Sequence, residues 1–279
     1  MALRIITDTS CDLPEEILNE YAIEMIPLRV TFEDGSTYLD RFELTPERFV
    51  YKMAHAKTLP KTASPDLATF INHFKKGIEE AGEVLFVSLS SGLSSTYDTA
   101  RVANEMLGDK RVQVYDSLTA SLGTGILAIR AAQLAQKGLN LEKVVESLNQ
   151  IRDRGEVLFT LDTLDNIVKG GRLSHIEGKA ANILSIKPIF RGIKGKPEVV
   201  EKVRGRKKAV KRMMNMLEEL VPEGFIERII GITYVDCKDE AEELYHEIER
   251  RFKPEMILMS EMSATIGTYA GIGGLMLNC

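Results

Sequence analysis

Tryptophan is absent from this chain of 279 residues, and cysteine and histidine are scarce, at three and four. Cys11, Cys237 and Cys279 are odd in number and widely spaced, so they form neither a disulfide framework nor a metal knuckle. No metal and no cofactor is expected, and a reducing cytoplasm is the expected location. No apolar run approaches the roughly 20 residues that a membrane helix requires, which argues against stable membrane insertion. Positive charge is also not in excess. A net charge of −5 excludes general nucleic-acid affinity for the whole molecule. The opening Met1-Ala2-Leu3-Arg4-Ile5-Ile6 runs straight into a strand and a polar turn, without a signal-peptide pattern.

What remains is the composition of a soluble globular protein, 44% hydrophobic and 28% charged, long enough for one large domain or two ordinary ones. The first half alternates strand and helix. Strands are predicted at Leu3–Thr7, Ile23–Val30, Val84–Leu89 and Val112–Tyr115. Helices are predicted from Glu15 to Tyr21, after Thr45-Pro46, after Ser64-Pro65, from about Leu93, and up to Lys137-Gly138, with Asn140 capping the next. Such alternation implies a mostly parallel sheet covered on both faces. After about residue 160 the rhythm changes. Ile189–Ile193 and Glu198–Val203 flank a hairpin turn at Lys194-Gly195-Lys196-Pro197. A long helix near Lys207, strand Ile229–Val235, helix Asp239–Phe252 and strand Met256–Met259 follow. The glycine-dense segment from Thr265 to Gly274 reads as a final buried strand. The predicted fold is α/β with two domains. Residues 1–160 form a three-layer α/β/α domain, and residues 161–279 form an α+β sandwich domain. The cleft between them is the default ligand site.

Two hydroxyl-rich segments stand out, Lys61-Thr62-Ala63-Ser64-Pro65-Asp66 and Ser88-Leu89-Ser90-Ser91-Gly92-Leu93-Ser94-Ser95-Thr96-Tyr97. Each precedes a helical pattern, where backbone N–H groups and short hydroxyls suit an anion. Capping accounts for Ser64 but not for Thr62, and the second segment carries more hydroxyls than one cap can use. A serine hydrolase is one alternative, with Ser94 as nucleophile. The nucleophile elbow, however, needs a glycine where Thr96 stands, and none of His55, His73, His175 and His246 occupies an obvious place for a triad base. Gly170-Gly171-Arg172 is too short for a phosphate loop and reads as a tight turn with a solvated arginine. The stretch holding Arg191, Lys194, Lys196, Arg204, Arg206, Lys207, Lys208 and Arg212 is basic. It suggests docking to an acidic partner or, as a second alternative, a nucleic-acid-binding regulatory module.

Taken in order, these segments resemble the DegV family of bacterial lipid-binding proteins, nearly end to end. The resemblance runs through Thr7-Asp8-Thr9-Ser10-Cys11-Asp12-Leu13-Pro14, Ile26-Pro27-Leu28, Lys61 to Pro65, Ser91-Gly92-Leu93-Ser94-Ser95-Thr96-Tyr97 and Asp116-Ser117. It continues through Lys169-Gly170-Gly171-Arg172, Ile186-Lys187-Pro188-Ile189, Lys202-Val203-Arg204-Gly205 and the terminal glycine segment. It implies a non-catalytic protein that holds one long-chain fatty acid, such as palmitate, between two α/β domains. It also implies that the acid is presented to a fatty acid kinase partner that makes the acyl-phosphate. Thr62 and Ser94 match the residues that hold the carboxylate, with Ser95, Thr268 and Tyr269 beside them. Lys169, Arg172 and Arg204 are assigned to partner docking. The chain departs from the family pattern where Ser95 replaces a glycine and Tyr269 replaces a histidine.

Overall fold

The computed structural model describes residues 2–173 and 186–279; His175 lies outside them. In the first module, β1 (Ala2–Asp8), α1 (Glu15–Glu20), β2 (Glu24–Ile26), β3 (Arg29–Thr31) and β4 (Thr37–Leu39) come first. They are followed by α2 (Pro46–His55), β5 (Lys61–Ala63), α3 (Leu67–Ala81), β6 (Gly82–Ser88) and α4 (Thr96–Leu107). The module ends with β7 (Val112–Asp116), α5 (Leu122–Gln136) and α6 (Leu141–Asp153). Strands β2-β1-β6-β7 form a parallel sheet. Alternate side chains of β1 and β6 point to opposite faces. Ile5, Leu85 and Val87 face α1, α5 and α6, whereas Ile6, Val84 and Phe86 face α3 and α4. The three-layer arrangement read from the sequence is therefore present.

Two local readings change. The predicted strand Ile23–Val30 is broken at Pro27, which has no N–H for a ladder. Its first half stays in the parallel sheet, and its second half enters a small antiparallel sheet of order β4-β3-β5. The helix expected after Ser64-Pro65 starts at Leu67. Its cap is Asp66, which accepts a hydrogen bond from the Thr69 amide at 2.9 Å. The first hydroxyl-rich segment is thus a strand, β5, that pairs Thr62 with Val30.

The second module contains β8 (Val157–Thr160), α7 (Asp165–Lys169), β9 (Ile186–Ile193), β10 (Lys196–Arg204) and α8 (Arg206–Leu220). It continues with β11 (Ile229–Tyr234), α9 (Lys238–Phe252), β12 (Met256–Glu261), α10 (Ala264–Ala270) and β13 (Leu275–Asn278). Its six-stranded sheet has the order β10-β9-β8-β13-β11-β12. The sheet starts at Val157, ahead of the boundary expected at 160. Leu158, Leu275 and Leu277 face the layer formed by α8 and α9. Phe159, Phe190 and Met276 face the other way, toward the first module. The glycine-dense tail is not one strand. It is a short helix, α10, and a turn through Gly271 and Gly273, both at positive φ, before β13. Ser263 caps α10 and Gly271 ends it, so the same small residues serve a helix stop in place of a ladder.

Helix α5 joins the modules. It is apolar nearly all round, and most of its residues are buried; such a helix must be covered on every side. A Cβ added at Gly125 would lie 2.7 Å from the Leu13 side chain, and one added at Gly231 would lie 2.6 Å from that of Leu122. Both glycines permit close packing, one toward the N-terminal turn and one toward β11. Asp12 closes the junction. Fully buried, it accepts hydrogen bonds from the Ser121 hydroxyl at 2.5 Å and the Ser263 amide at 2.8 Å, while its carbonyl accepts from the Ser260 hydroxyl at 2.5 Å. Burial pushes its carboxyl up to about 7, against the lowering effect of these hydrogen bonds.

A raised carboxyl makes folding less favourable as pH rises from the ordinary value of 3.8 toward about 7, because the unfolded chain releases that proton first. The stability of the wild type relative to Asp12→Asn should therefore decline between pH 4 and pH 7 and level off above that. Urea midpoints of both proteins across this range check it. A constant difference would mean that Asp12 does not titrate there.

Candidate functional site

A cavity with about 830 Å³ of empty space, part of it open to solvent, lies between the two modules. Leu89, Leu93 and Leu118 line it from the first module, and Phe159 and Met276 from the second. The last two are direct partners across β8 and β13, so the second sheet supplies an apolar floor.

At one end the lining turns polar through a chain of contacts. The Thr62 hydroxyl, on β5, lies 2.6 Å from the Tyr269 hydroxyl on α10. The Arg172 guanidinium sits 4.3 Å over the Tyr269 ring, within cation–π range. Arg172 Nε donates to the carbonyl of Leu93 at 3.1 Å, and a terminal nitrogen donates to that of Gly170 at 2.5 Å. Ser94 follows Leu93 directly and also lines the cavity. Its hydroxyl lies 2.9 Å from that of Thr96. Hydroxyls from two modules and one guanidinium thus surround a small polar head on an apolar channel. Such an arrangement can take an anionic group with an apolar body.

The residues singled out in the sequence divide sharply. Thr62, Ser94 and Tyr269 come together at the cavity. Ser95 is exposed at the start of α4, and its carbonyl accepts from Thr99. The buried Thr268 hydroxyl donates at 2.7 Å to the carbonyl of Ala264 in its own helix. Neither lines the cavity. Lys169 and Arg204 are exposed, as a docking cation must be, but Arg172 is half-buried at the cavity. The picture of a solvated Arg172 is therefore corrected. The turn at Gly170-Gly171 is real, and its function is steric: a Cβ at Gly170 would lie 2.4 Å from the Tyr269 ring. The surplus hydroxyls of the second segment are mostly consumed by structure. Ser90 donates at 2.8 Å to the Gly195 carbonyl in the β9–β10 turn, and Ser88 donates to the Leu89 carbonyl.

Several groups lie away from the cavity. His55 contacts the Tyr51 carbonyl, His73 pairs with Glu24 and His246 with Glu249, so no described histidine accompanies Ser94. The hydrogen bond from His73, joined by Arg4, holds the Glu24 carboxyl down at about 2, against the raising effect of burial. In the basic stretch, Arg191 pairs with Glu156, Arg206 with Glu240, and Arg212 with Glu201 and Glu219. Those three cations are partly neutralised, whereas Lys194, Lys196, Lys207 and Lys208 of the same stretch are exposed. Among the described residues no group of three or more His, Cys, Asp and Glu is placed to hold a metal ion, and no helix is long and apolar enough to cross a membrane. Sequence reading missed the roles of Asp12 and Asp40. Asp12 stood within a quoted motif, whereas nothing local marked Asp40.

Known proteins share this architecture. A DegV family protein from Thermus thermophilus, solved as a fatty-acid-binding protein, is 28% identical with a TM-score of 0.92, covering 100% of this chain and 99% of that one. A DegV family protein from Ruminococcus gnavus, solved with vaccenic acid, is 27% identical with a TM-score of 0.90 and complete coverage of both chains. Among curated proteins, a DegV domain-containing protein of Caldanaerobacter subterraneus subsp. tengcongensis is 31% identical over 273 residues, covering 96% of this chain and 95% of its own. The family model described as "Uncharacterised protein, DegV family" matches residues 2–277. With two sheet-based modules, a cavity between them and a match over nearly its whole length, the chain belongs to the DegV family.

Proposed function

We propose that the protein binds one long-chain fatty acid in the cavity between its modules, and that it acts as a carrier in the cytoplasm without performing bond chemistry itself. The observation that carries this reading is a mostly apolar cavity whose lining also holds the contacting group Thr62, Tyr269 and Arg172, with Ser94 beside it. The relatives solved with or as binders of fatty acids support it. Burying each methylene contributes about 0.8 kcal/mol, so roughly fifteen supply a gross term on the order of 12 kcal/mol. A hydrogen bond to a charged group contributes about 1.5–3 kcal/mol. The tail therefore supplies most of the affinity, and the polar end fixes which way the acid lies. Arg172 offsets the buried carboxylate charge. In this reading the carboxylate is presented to an acyl kinase, and the exposed cations Lys169 and Arg204 steer that encounter. The hydrolase alternative lacks support at Ser94, whose hydroxyl partner is Thr96.

The purified protein should carry a fatty acid of roughly sixteen to eighteen carbons, a tail long enough to supply the affinity by burial. Solvent extraction and mass spectrometry check this. A lipid-free protein that also takes up no added palmitate would sink the proposal.

Thr62→Ala and Ser94→Ala should each weaken palmitate binding by roughly 1–3 kcal/mol, the cost of an unsatisfied carboxylate oxygen. Calorimetric titration of delipidated protein measures it. Unchanged affinity in both variants would place the carboxylate elsewhere.

Arg172→Met and Arg204→Glu should separate two roles. The first should reduce palmitate retention; the second should leave retention intact and slow acyl phosphorylation by the partner kinase. The reverse pattern would return Arg172 to the docking surface.

A further inference from the structure

Helix α10 carries Tyr269 into the cavity, yet it is not held in place by its own module alone. Its N-terminal amides point at two carboxylates of the first module. Asp12 accepts from the Ser263 amide at 2.8 Å. Asp40, in the bend after β4, accepts from the Ala264 amide on one oxygen and from the Thr265 amide on the other, both at 3.0 Å. The fourth amide of the turn, Ile266, donates to the Ser263 hydroxyl at 3.5 Å. These N–H groups have no partner within a helix, and their aligned dipoles favour negative charge. Asp40 is fully buried, where a carboxylate is costly unless it is well hydrogen-bonded. The Thr9 hydroxyl, at 3.4 Å, is its further donor. The Asp40 amide donates to Leu28 at 2.9 Å, and the Leu28 amide donates to Thr9 at 3.1 Å. The carboxylate is therefore fixed to the loop that enters β3, and β3 pairs with β5, which carries Thr62.

We propose that Asp40, with Asp12 beside it, is a positioning residue that locks α10 onto the first module and so sets the Tyr269 hydroxyl against Thr62 at the head end of the cavity. One rigid path runs from Thr62 through β5 and β3 to Asp40, and returns through α10 to Tyr269. The inference rests on the fatty-acid reading only for its effect on binding; the placement of Tyr269 can be read without ligand. Asparagine at 40 keeps one acceptor oxygen and turns a donor toward a backbone N–H. That change loosens the helix while leaving the shape of the side chain nearly intact.

The test uses full-length, delipidated protein labelled with 3-fluorotyrosine, its Tyr269 signal assigned through Tyr269→Phe. In otherwise unmodified protein Thr62→Val should shift that signal, because the hydroxyl contact is lost. In Asp40→Asn the signal should already be displaced, and adding Thr62→Val should move it no further. Should Asp40→Asn fail to fold, Ala264→Pro removes the same amide at a helix position that tolerates proline and should give the same result. Palmitate affinity, measured by displacement of a fluorescent fatty acid, should fall roughly tenfold in the position-40 variant, while methyl palmitate binding stays within about twofold. A Tyr269 signal that still responds fully to Thr62→Val in the position-40 variant would overturn the assignment. So would equal loss of both ligands, which marks general destabilisation. Wild-type protein that binds neither ligand but shows the predicted signal pattern would overturn the fatty-acid reading and leave the positioning role standing.

Discussion

The burial of α5 between two sheets is the constraint from which the rest follows. Most of this helix is apolar and buried, with Arg130, Gln133, Gln136 and their neighbours partly open, so both modules close on it. Leu122 meets Gly231 on one side and Gly125 meets Leu13 on the other. Once those contacts form, the second sheet stands at a fixed distance from the carboxyl ends of the first. Phe159 and Met276 then face Leu89 and Leu118 across a gap that no side chain fills. The cavity is the space left over when two sheets share one helix, and its apolar lining is simply their inner faces. Its polar end arises where irregular segments meet: β5, the turn at Gly170, and α10.

Regular elements were legible because their signals are local. The apolar run that opens Val84 to Leu89 and the capped start at Thr45-Pro46 are readable from neighbouring residues, and the structure keeps both. The failures have two physical causes, a proline inside a strand-like run and partners distant in sequence. Ile23–Val30 reads as a strand by composition, but Pro27 sends its two halves to different sheets. The tail from Thr265 to Gly274 reads as a strand because its glycines suggest close backbone approach, while its helix depends on carboxylates from distant parts of the chain. Arg172 reads as solvated because a Gly-Gly-Arg turn ordinarily is. Tyr269, brought in from the far end of the chain, and the Leu93 carbonyl of the first module hold the arginine inward.

The candidate site shows the same division. Thr62 and Ser94 were visible through a family pattern, and the cavity unites them. Ser95 and Thr268 belong to the same motifs, yet their hydroxyls or positions serve helix starts and helix backbone. A motif fixes which residues lie near a site; side-chain direction decides which of them reach it. That direction depends on partners a sequence does not reveal.

Tyr269 illustrates how one substitution reorganises a polar site. The resemblance read from the sequence implies a histidine here, and an imidazole can gain a proton in the neutral range. A protonated imidazole would repel a guanidinium stacked on it. The phenol ring presents a neutral π-face to Arg172 at 4.3 Å and leaves its hydroxyl for Thr62. Arg172 lies over that ring and is bridged to the first module through the Leu93 carbonyl. Arg172 brings one cation to the cavity, and Lys196 lines it as well. Gly170 completes the arrangement, since any larger residue would push into the ring that Arg172 covers. The Gly-Gly-Arg turn, the tyrosine and the threonine form one unit, and changing any member alters the surface that the other two present to the ligand.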